Sequence, residues 1–387
     1  MTSLMNSSEY EDREQTAVKH KILERYLSGL VPIVGNWASD VAYIDCLAGP
    51  WESTDAELKD TSFARAVKVL RETREVLKRR GRHPSMRCLF IENNSSAFPK
   101  LKRYCDAISD IETRAEAWDF TEHIDDIVKF SWERSGSFPF VFIDPTGWEP
   151  LGIEMIRPIL ALKPGEVLIN LMTSFILRFL DVPGKGFERL FGDDLPRLIS
   201  LSGEDQEDEL VSSYANRVRA AGGFNYICTL PVMKSNKDAF QFHMIYGTRH
   251  PEGVEVFKGT EKHVIPFMHN RRAQAQERRR LSQTGQPGLF APETLYKETR
   301  FTRYRNRNLN VAKLELQEKL QASGKLSYDD AWATAMQHAT VMEADLREWL
   351  EEWMADGLLD ITNKRSRQKF PSRGTGQYLI WKNGAAK

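Results

Sequence analysis

Four cysteines in 387 residues, none in a C-x-x-C pair, argue against a zinc knuckle or iron–sulfur site built from this chain. Cys46, Cys88, Cys105 and Cys228 are widely scattered and read as reduced, partly buried thiols; no metal is expected. No run of about 18 apolar residues occurs, so no membrane span is expected. The first 26 residues are polar and charged, without the apolar core of a signal peptide, which points to the cytoplasm. The loop G-x-x-x-x-G-K-[ST] is missing, which disfavours nucleoside triphosphate hydrolysis. Net charge is also lacking: 54 basic residues balance 54 acidic ones, although the sum hides local asymmetry. At about 150 residues per domain the length predicts roughly two to three domains. The hydrophobic share, 41%, is enough to bury a sizeable core and excludes a wholly disordered chain.

What is present is an alternation of strand-like and helical patterns as far as about residue 250. After a helical stretch at 16–30, short strand-like runs lie at 41–45, 87–92, 112–117, 138–144 and 166–171. Helical patterns at 63–80, 97–108, 122–133 and 152–162 separate them. This spacing predicts right-handed βαβ units in a parallel sheet. Two more runs, 225–230 and 240–247, flank a turn-rich segment and read as a hairpin that sets an antiparallel strand at the sheet edge. Five parallel strands followed by such a hairpin is the order of a Rossmann-like class I methyltransferase sheet. Nucleotide-binding sheets in general share its first part, so fold is firmer than function here.

Residues 271–308 differ in kind, with ten Lys/Arg against three Glu. Within them, 283–292 holds two Gly and two Pro and reads as a linker. Helical stretches follow at 312–321, 328–337 and 342–356, then strand candidates at 358–361 and 377–381, a pattern that suggests a winged helix. The expected organisation is a Rossmann-like domain with an N-terminal helical lid over 1–250, a basic connector over 251–310 and a winged-helix-like domain over 311–387.

In an open parallel sheet, ligands bind beyond the carboxyl ends of the strands, where strand order reverses. Three runs end in Asp45, Glu92 and Asp144, so three carboxylates should share that rim. After Asp45, the small residues Ala48 and Gly49, followed by Pro50, let backbone approach a ligand closely; a plain Gly-Pro turn is the alternative. Glu92 suits the two hydroxyls of a ribose, or else caps the next helix. Asp119 suits an adenine amine, yet with Thr121 it also suits a helix N-cap. Together these positions describe an adenosine-shaped site. The pentapeptide Asp144-Pro145-Thr146-Gly147-Trp148 resembles the D-P-P-Y and D-P-F-G signatures of methyltransferases acting on exocyclic base amines. In those enzymes the acid and the next carbonyl accept the amine's hydrogens and an aromatic stacks on the base, so catalysis is mostly positioning. Trp148 is the available aromatic; the alternative is a turn with Trp148 as a core plug.

More of the chain carries a resemblance. Tyr43-Ile44-Asp45-Cys46-Leu47-Ala48-Gly49-Pro50, Phe90-Ile91-Glu92, Phe142-Ile143-Asp144-Pro145-Thr146-Gly147 and Leu168-Ile169-Asn170-Leu171-Met172 resemble the three-Cys-motif partner (TcmP) family. Lys19-His20-Lys21-Ile22-Leu23 with Tyr26-Leu27, and Tyr246-Gly247-Thr248, extend it over about residues 16 to 250. The family is methyltransferase-like and works with a three-Cys-motif protein similar to radical enzymes that use S-adenosylmethionine. The resemblance implies an S-adenosylmethionine site at Asp45, Gly49 and Glu92, with Asp144 at the reaction centre. Two departures are visible: Cys46-Leu47 where the pattern more often has Gly-Phe, and Thr146 where it more often has Phe.

The basic stretch, including Arg278, Arg279 and Arg280 and interleaved with Phe301 and Tyr304, suits a phosphate-tracking surface; alternatively it pairs with an acidic surface such as 204–209. A second basic group, Lys364, Arg365, Arg367, Lys369 and Arg373, would form a wing that grips a backbone. The third tail helix opposes this, with six acids against Arg347 alone, so major-groove reading by that helix is not expected and a protein partner is. Arg178 is expected to face the rim and hold a substrate phosphate or cofactor carboxylate, unless it is simply a surface arginine. Lys19 and His20 close over the site as a lid or remain exposed. The expected function is methylation of a base amine in DNA or RNA, with a duplex target flipped out first. The alternative is a non-catalytic adaptor on a methyltransferase-like scaffold.

Overall fold

The computed structural model describes residues 13–49, 53, 55, 57–284, 299–363, 368 and 370–382. Its first part alternates helices and strands: α1 (Glu14–Val34), β1 (Asp40–Asp45), α2 (Ser62–Arg79), β2 (Ser85–Ile91), α3 (Phe98–Asp106), β3 (Glu112–Glu116), α4 (Ile124–Trp132), β4 (Ser137–Ile143), α5 (Ile153–Leu160) and β5 (Glu166–Leu171). Four helices follow, α6 (Thr173–Phe179), α7 (Glu188–Phe191), α8 (Leu195–Ser200) and α9 (Gly203–Gly222), then the hairpin β6 (Tyr226–Met233) and β7 (Phe240–Thr248).

These strands form one mixed sheet in the order β3-β2-β1-β4-β5-β7-β6. β1 to β5 run parallel, and β7 is antiparallel to both of its neighbours. The antiparallel strand is therefore one place in from the edge, which β6 forms; the sequence expectation had it at the edge itself. β7 takes the inner position because eight of its nine residues are buried, Gln241 excepted, whereas β6 leaves Tyr226 and Thr229 half-buried.

The central runs are largely apolar because helices cover both faces. Tyr43, Phe140 and Phe142 pack into one core with α1, α2 and α10 (Pro251–Thr284), while Ile44, Val141 and Ile143 pack into the other with α5 and α9. Fully burying each such side chain contributes about 1.5–3 kcal/mol. Polar strand residues are buried too, and the largest, Arg87 on β2, is fully buried. It donates to Asp40 at 2.8 and 3.0 Å and to Glu133 at 2.9 Å, and lies 4.4 Å from the Phe130 ring centroid.

Helix α1 turns Ile22, Leu23, Tyr26, Leu27 and Leu30 inward at helical spacing. It also anchors through a buried polar network. Tyr26 Oη lies 2.6 Å from Glu166 Oε2 and 2.5 Å from Tyr246 Oη, and Thr248 Oγ1 donates to Glu166 Oε1 at 2.8 Å. A hydroxyl has one proton, so Tyr26 donates to the carboxylate and accepts from Tyr246. Burial raises the Glu166 pKa, and the hydrogen bonds from Tyr26 and Thr248 offset part of that rise.

The remaining elements are α11 (Arg300–Ser323), β8 (Lys325–Ser327), α12 (Tyr328–Met336), α13 (Glu343–Ala355), β9 (Leu359–Ile361) and β10 (Tyr378–Trp381). The strands form a small antiparallel sheet in the order β8-β10-β9. Sequence periodicity misses β8, which has three residues, and the expected boundary at 310–311 falls inside the unbroken α11. The two parts share a core, and buried polar contacts tie them: Lys258 pairs with Glu261 and donates to the His338 carbonyl at 3.1 Å, and the Thr340 N–H reaches Glu261 at 2.5 Å.

Candidate functional site

The chain runs outward from β1 through β2 to β3, then returns to β4 beside β1, so strand order reverses between β1 and β4. Beyond the carboxyl ends of these strands opens a cavity of about 980 Å³. One wall carries Leu47, Gly49, Glu92, Asp119 and Phe120; the other carries Asp144, Pro145, Thr146, Trp148 and Asn170; α1 contributes Thr16, Lys19 and His20.

The loops that end β2 and β3 fix the first wall. Glu92, largely buried, accepts from the Asn94 N–H at 2.6 Å, an arrangement that turns the chain sharply off the strand. Asp119 accepts from the Thr121 N–H at 2.9 Å, the Thr121 hydroxyl at 2.6 Å and Asn93 Nδ2 at 3.3 Å. The Thr121 hydroxyl and N–H hold its carboxyl below the usual range. Asp119 thus does the local turn-forming work while also lining the cavity. Asp45 and Ala48, read from the sequence as ligand contacts, are fully buried and lie beneath the wall. Ser62 Oγ, itself on the cavity, covers Asp45 and donates to it at 2.7 Å. Burial, reinforced by Asp144, pushes the Asp45 carboxyl up to about 7 against the opposing hydrogen bond from Ser62. Pro50 lies outside the described residues.

On the second wall Asp144 follows the last residue of β4, half-buried. Lys19 Nζ sits 2.5 Å from one carboxylate oxygen and Asn170 Nδ2 donates to the other at 2.7 Å. An ionised carboxylate accepts only, which sets the Asn170 amide with its nitrogen toward Asp144. His20, next along α1, is buried; burial, then the neighbouring Lys19 charge, hold its pKa well below the usual imidazole value, so it is neutral. Both residues of the expected lid therefore line the cavity instead of standing exposed. Thr146 is exposed, and Gly147 is not among the lining residues.

Trp148 is 7% exposed and built into an aromatic cluster, with ring centroids 5.3 Å from Phe175, 5.7 Å from Phe179 and 4.9 Å from Phe187. Its Nε1 donates to the Lys185 carbonyl at 3.0 Å. It borders the cavity chiefly as a plug.

The expected phosphate-binding arginines fall elsewhere. Arg178 is exposed and does not line the cavity: α6 buries Thr173, Ile176 and the following Leu180, and residue 178 lies across the helix from them. Arg278 pairs with Glu14, and Arg279 and Arg280 are exposed at the end of α10. The acid-pairing alternative applies to three of the four arginines of α11, while the fourth, Arg305, pairs with Asp345 at 2.7 Å. Arg300 donates to Glu207 at 2.9 Å and Asp208 at 2.8 Å, Arg303 to Glu204 at 2.6 Å, and Arg307 to Asp208 at 2.6 Å and Glu204 at 2.7 Å. Burial raises the Glu204 pKa, but Arg303 and Arg307 outweigh it and leave about 2. Arg373 is likewise engaged, pairing with Glu255 and lying 4.4 Å from the Trp332 ring centroid. Lys364, Arg365, Arg367 and Lys369 lie outside the described residues.

Polar residues of the cavity that escaped the sequence reading include Arg13, which pairs with Asp60 at 2.9 Å, Ser62, Lys185 and Arg189, together with Asn170 as the partner of Asp144. Among the described residues, no group of three or more His, Cys, Asp or Glu could hold a metal ion, and no helix is long and apolar enough to cross a membrane.

No family model and no curated protein matches the sequence. Among solved structures, a Legionella pneumophila protein of the DUF519 family is similar at 10% identity and a TM-score of 0.37, over 62% of this chain and 89% of that one. A loganic acid methyltransferase with S-adenosylhomocysteine is similar at 12% identity and a TM-score of 0.31, over 73% of this chain and 94% of that one. At these scores neither likeness bears on function.

Proposed function

We propose that the chain is an S-adenosylmethionine-dependent methyltransferase acting on an exocyclic base amine of DNA or RNA, with a class I methyltransferase sheet and a winged-helix-like C-terminal unit. One observation carries this reading: a single cavity at the switch point joins an adenosine-compatible wall, Gly49, Glu92, Asp119 and Phe120, to the Asp144-Pro145 pair. The residues present fit the cofactor. A buried carboxylate at Glu92 suits ribose hydroxyls, Asp119 suits the adenine amine, Leu47 and Phe120 offer apolar surface to a ring, and about 980 Å³ has room for a second ligand. When bound, S-adenosylmethionine supplies an electrophilic methyl group on a sulfonium.

The chain's own residues then position the acceptor. Asp144 and the Pro145 carbonyl accept the two N–H bonds of the amine and point its lone pair at the opposite wall, an effect of orientation more than of acid–base chemistry. Lys19 and Asn170 hold the Asp144 carboxylate in one rotamer and balance its charge. With Thr146 in place of an aromatic and Trp148 turned into its cluster, stacking on the base falls to residues other than these two. A three-Cys-motif partner is part of the proposal on the sequence resemblance.

The test is calorimetric titration of the full chain with S-adenosylhomocysteine. Micromolar binding is expected, weakened about 10- to 100-fold in Glu92→Ala because hydrogen bonds to a charged group are lost. Labelled methyl transfer to oligonucleotides, with and without the partner, should vanish in Asp144→Ala. Undiminished transfer in that variant would remove Asp144 from the reaction; no cofactor binding even with the partner would leave the adaptor reading.

A further inference from the structure

Two cations of the cavity wall play no part in the reading above. Lys185 and Arg189 line the cavity on the side of Trp148, both with exposed side chains. The other two basic side chains there are neutralised, Arg13 by Asp60 at 2.9 Å and Lys19 by Asp144 at 2.5 Å. Neither Lys185 nor Arg189 forms an ion pair among the described residues; the contact of the Lys185 ammonium is the Phe179 ring, 5.6 Å away. Glu149 is the nearby wall acid not engaged by a cation, so two positive charges face one negative charge. The opposite wall, with Glu92 and Asp119, carries the reverse sign.

The segment that presents Lys185 is built for the purpose. Gly184 and Gly186 adopt φ of +75° and +73°, a region L side chains rarely enter, and they bend the chain sharply on either side of the lysine. The bend is pinned from below: Trp148 Nε1 donates to the Lys185 carbonyl at 3.0 Å, and the Phe187 ring packs 4.9 Å from the indole. Trp148 is the fifth residue of the pentapeptide that begins at Asp144, so the same turn that presents the amine acceptor also holds the cationic loop. Arg189 stands beside it, its side chain against Gly186 and Gly152. A lysine point charge next to a guanidinium fork suits a phosphate.

We infer that Lys185 and Arg189 bind the phosphate of the nucleotide whose base amine reaches Asp144. The identity of the base rests on the methyltransferase reading; the anion site itself does not. A fluorescein-labelled single-stranded oligonucleotide is titrated by anisotropy over a salt series, and a free nucleoside monophosphate by calorimetry, against the full chain and Lys185→Ala/Arg189→Ala. The double variant should bind the strand at least about tenfold more weakly, with the slope of log K against log salt smaller by about 0.7 for the one lost phosphate contact. A loss with both probes identifies a strand as the source of the phosphate, and a loss with the monophosphate alone identifies the free nucleotide; both support the site. Equal binding of both probes by parent and variant, or no binding of either probe by the parent, overturns it. Lys185→Gln/Arg189→Gln serves as a second variant if the alanine form melts early. Titration with S-adenosylhomocysteine separates the two readings. Failure to bind it, alongside phosphate binding that needs Lys185 and Arg189, removes methyl transfer and leaves the site; the opposite pattern removes the site alone.

Discussion

Gly253 and Gly259 lie on the same helix, α10, and the structure assigns opposite outcomes to replacing each with alanine. At Gly259, which is exposed, an added methyl group meets nothing within 4 Å. Gly259→Ala should therefore stabilise by about 0.5–1 kcal/mol, the helix-interior difference between the two residues. At Gly253 the same methyl group would collide with Tyr246 Oη, approach Thr248 Oγ1 at 2.5 Å and approach Glu166 Oε1 at 2.8 Å. All three atoms belong to the network that ties α1 to the sheet. Either α10 lifts off β5 and β7, at an overpacking cost of about 1–3 kcal/mol, or Glu166 loses a partner while buried, at about 1–3 kcal/mol. Set against the helix gain, Gly253→Ala should destabilise by about 0.5–2 kcal/mol, a fall in melting temperature of roughly 1–3 °C. Urea denaturation and thermal melting of the two variants beside the parent measure this directly. If Gly253→Ala proved no less stable than Gly259→Ala, the packing of α10 on the Tyr26–Glu166–Tyr246 network would be wrong. The anchoring of the helix that carries Lys19 would fall with it.

Other outcomes follow from single groups. Asp45 titrates at about 7 when folded, above its unfolded value, so the folded chain holds the extra proton and this group's contribution to stability falls as pH rises from about 4 to 7. Asp45→Asn should gain on the parent across that window, by up to about 4 kcal/mol; a pH-independent gap between their unfolding free energies would refute the shift. Arg300→Ala strips the buried Glu207 of its cationic partner and should cost about 3–5 kcal/mol, whereas Arg303→Ala, at the more exposed end of the network, should cost about 1 kcal/mol or less in the same denaturation assay. Trp148→Phe keeps the aromatic packing but loses the hydrogen bond to the Lys185 carbonyl, and should speed limited proteolysis within 184–186 while lowering stability by about 1 kcal/mol; unchanged cleavage would mean the loop is not pinned there.

The parallel sheet is legible because β1, β2, β4 and β5 are buried on both faces, and that burial writes short, nearly continuous apolar runs bounded by turns. Strand ends are legible for the same reason: apolar pattern stops where the chain meets the rim, at Asp45, Glu92 and Asp144. What fails is whatever depends on pairing across the chain. Helices α6, α7 and α8 have seven, four and six residues, too few to declare a 3.6-residue period, so the segment that brings Lys185 and Arg189 to the cavity carries no signal of its own. The arginines of α11 suit phosphates or the acidic surface at 204–209 equally well by sequence, and nothing local decides that Glu204, Glu207 and Asp208, more than 90 residues earlier, engage three of them. Asp45 reads as a rim carboxylate like Asp144, yet the serine that covers it comes from α2. Lys19 is the instructive case. Its own sequence neighbourhood is an ordinary amphipathic helix, and its place on Asp144 is set one to two turns away, where Tyr26 locks α1 onto Glu166. The position of this cation in the site is therefore a consequence of core packing, and a substitution in the core at Gly253 or Tyr26 should disturb Asp144 without touching any residue that lines the cavity.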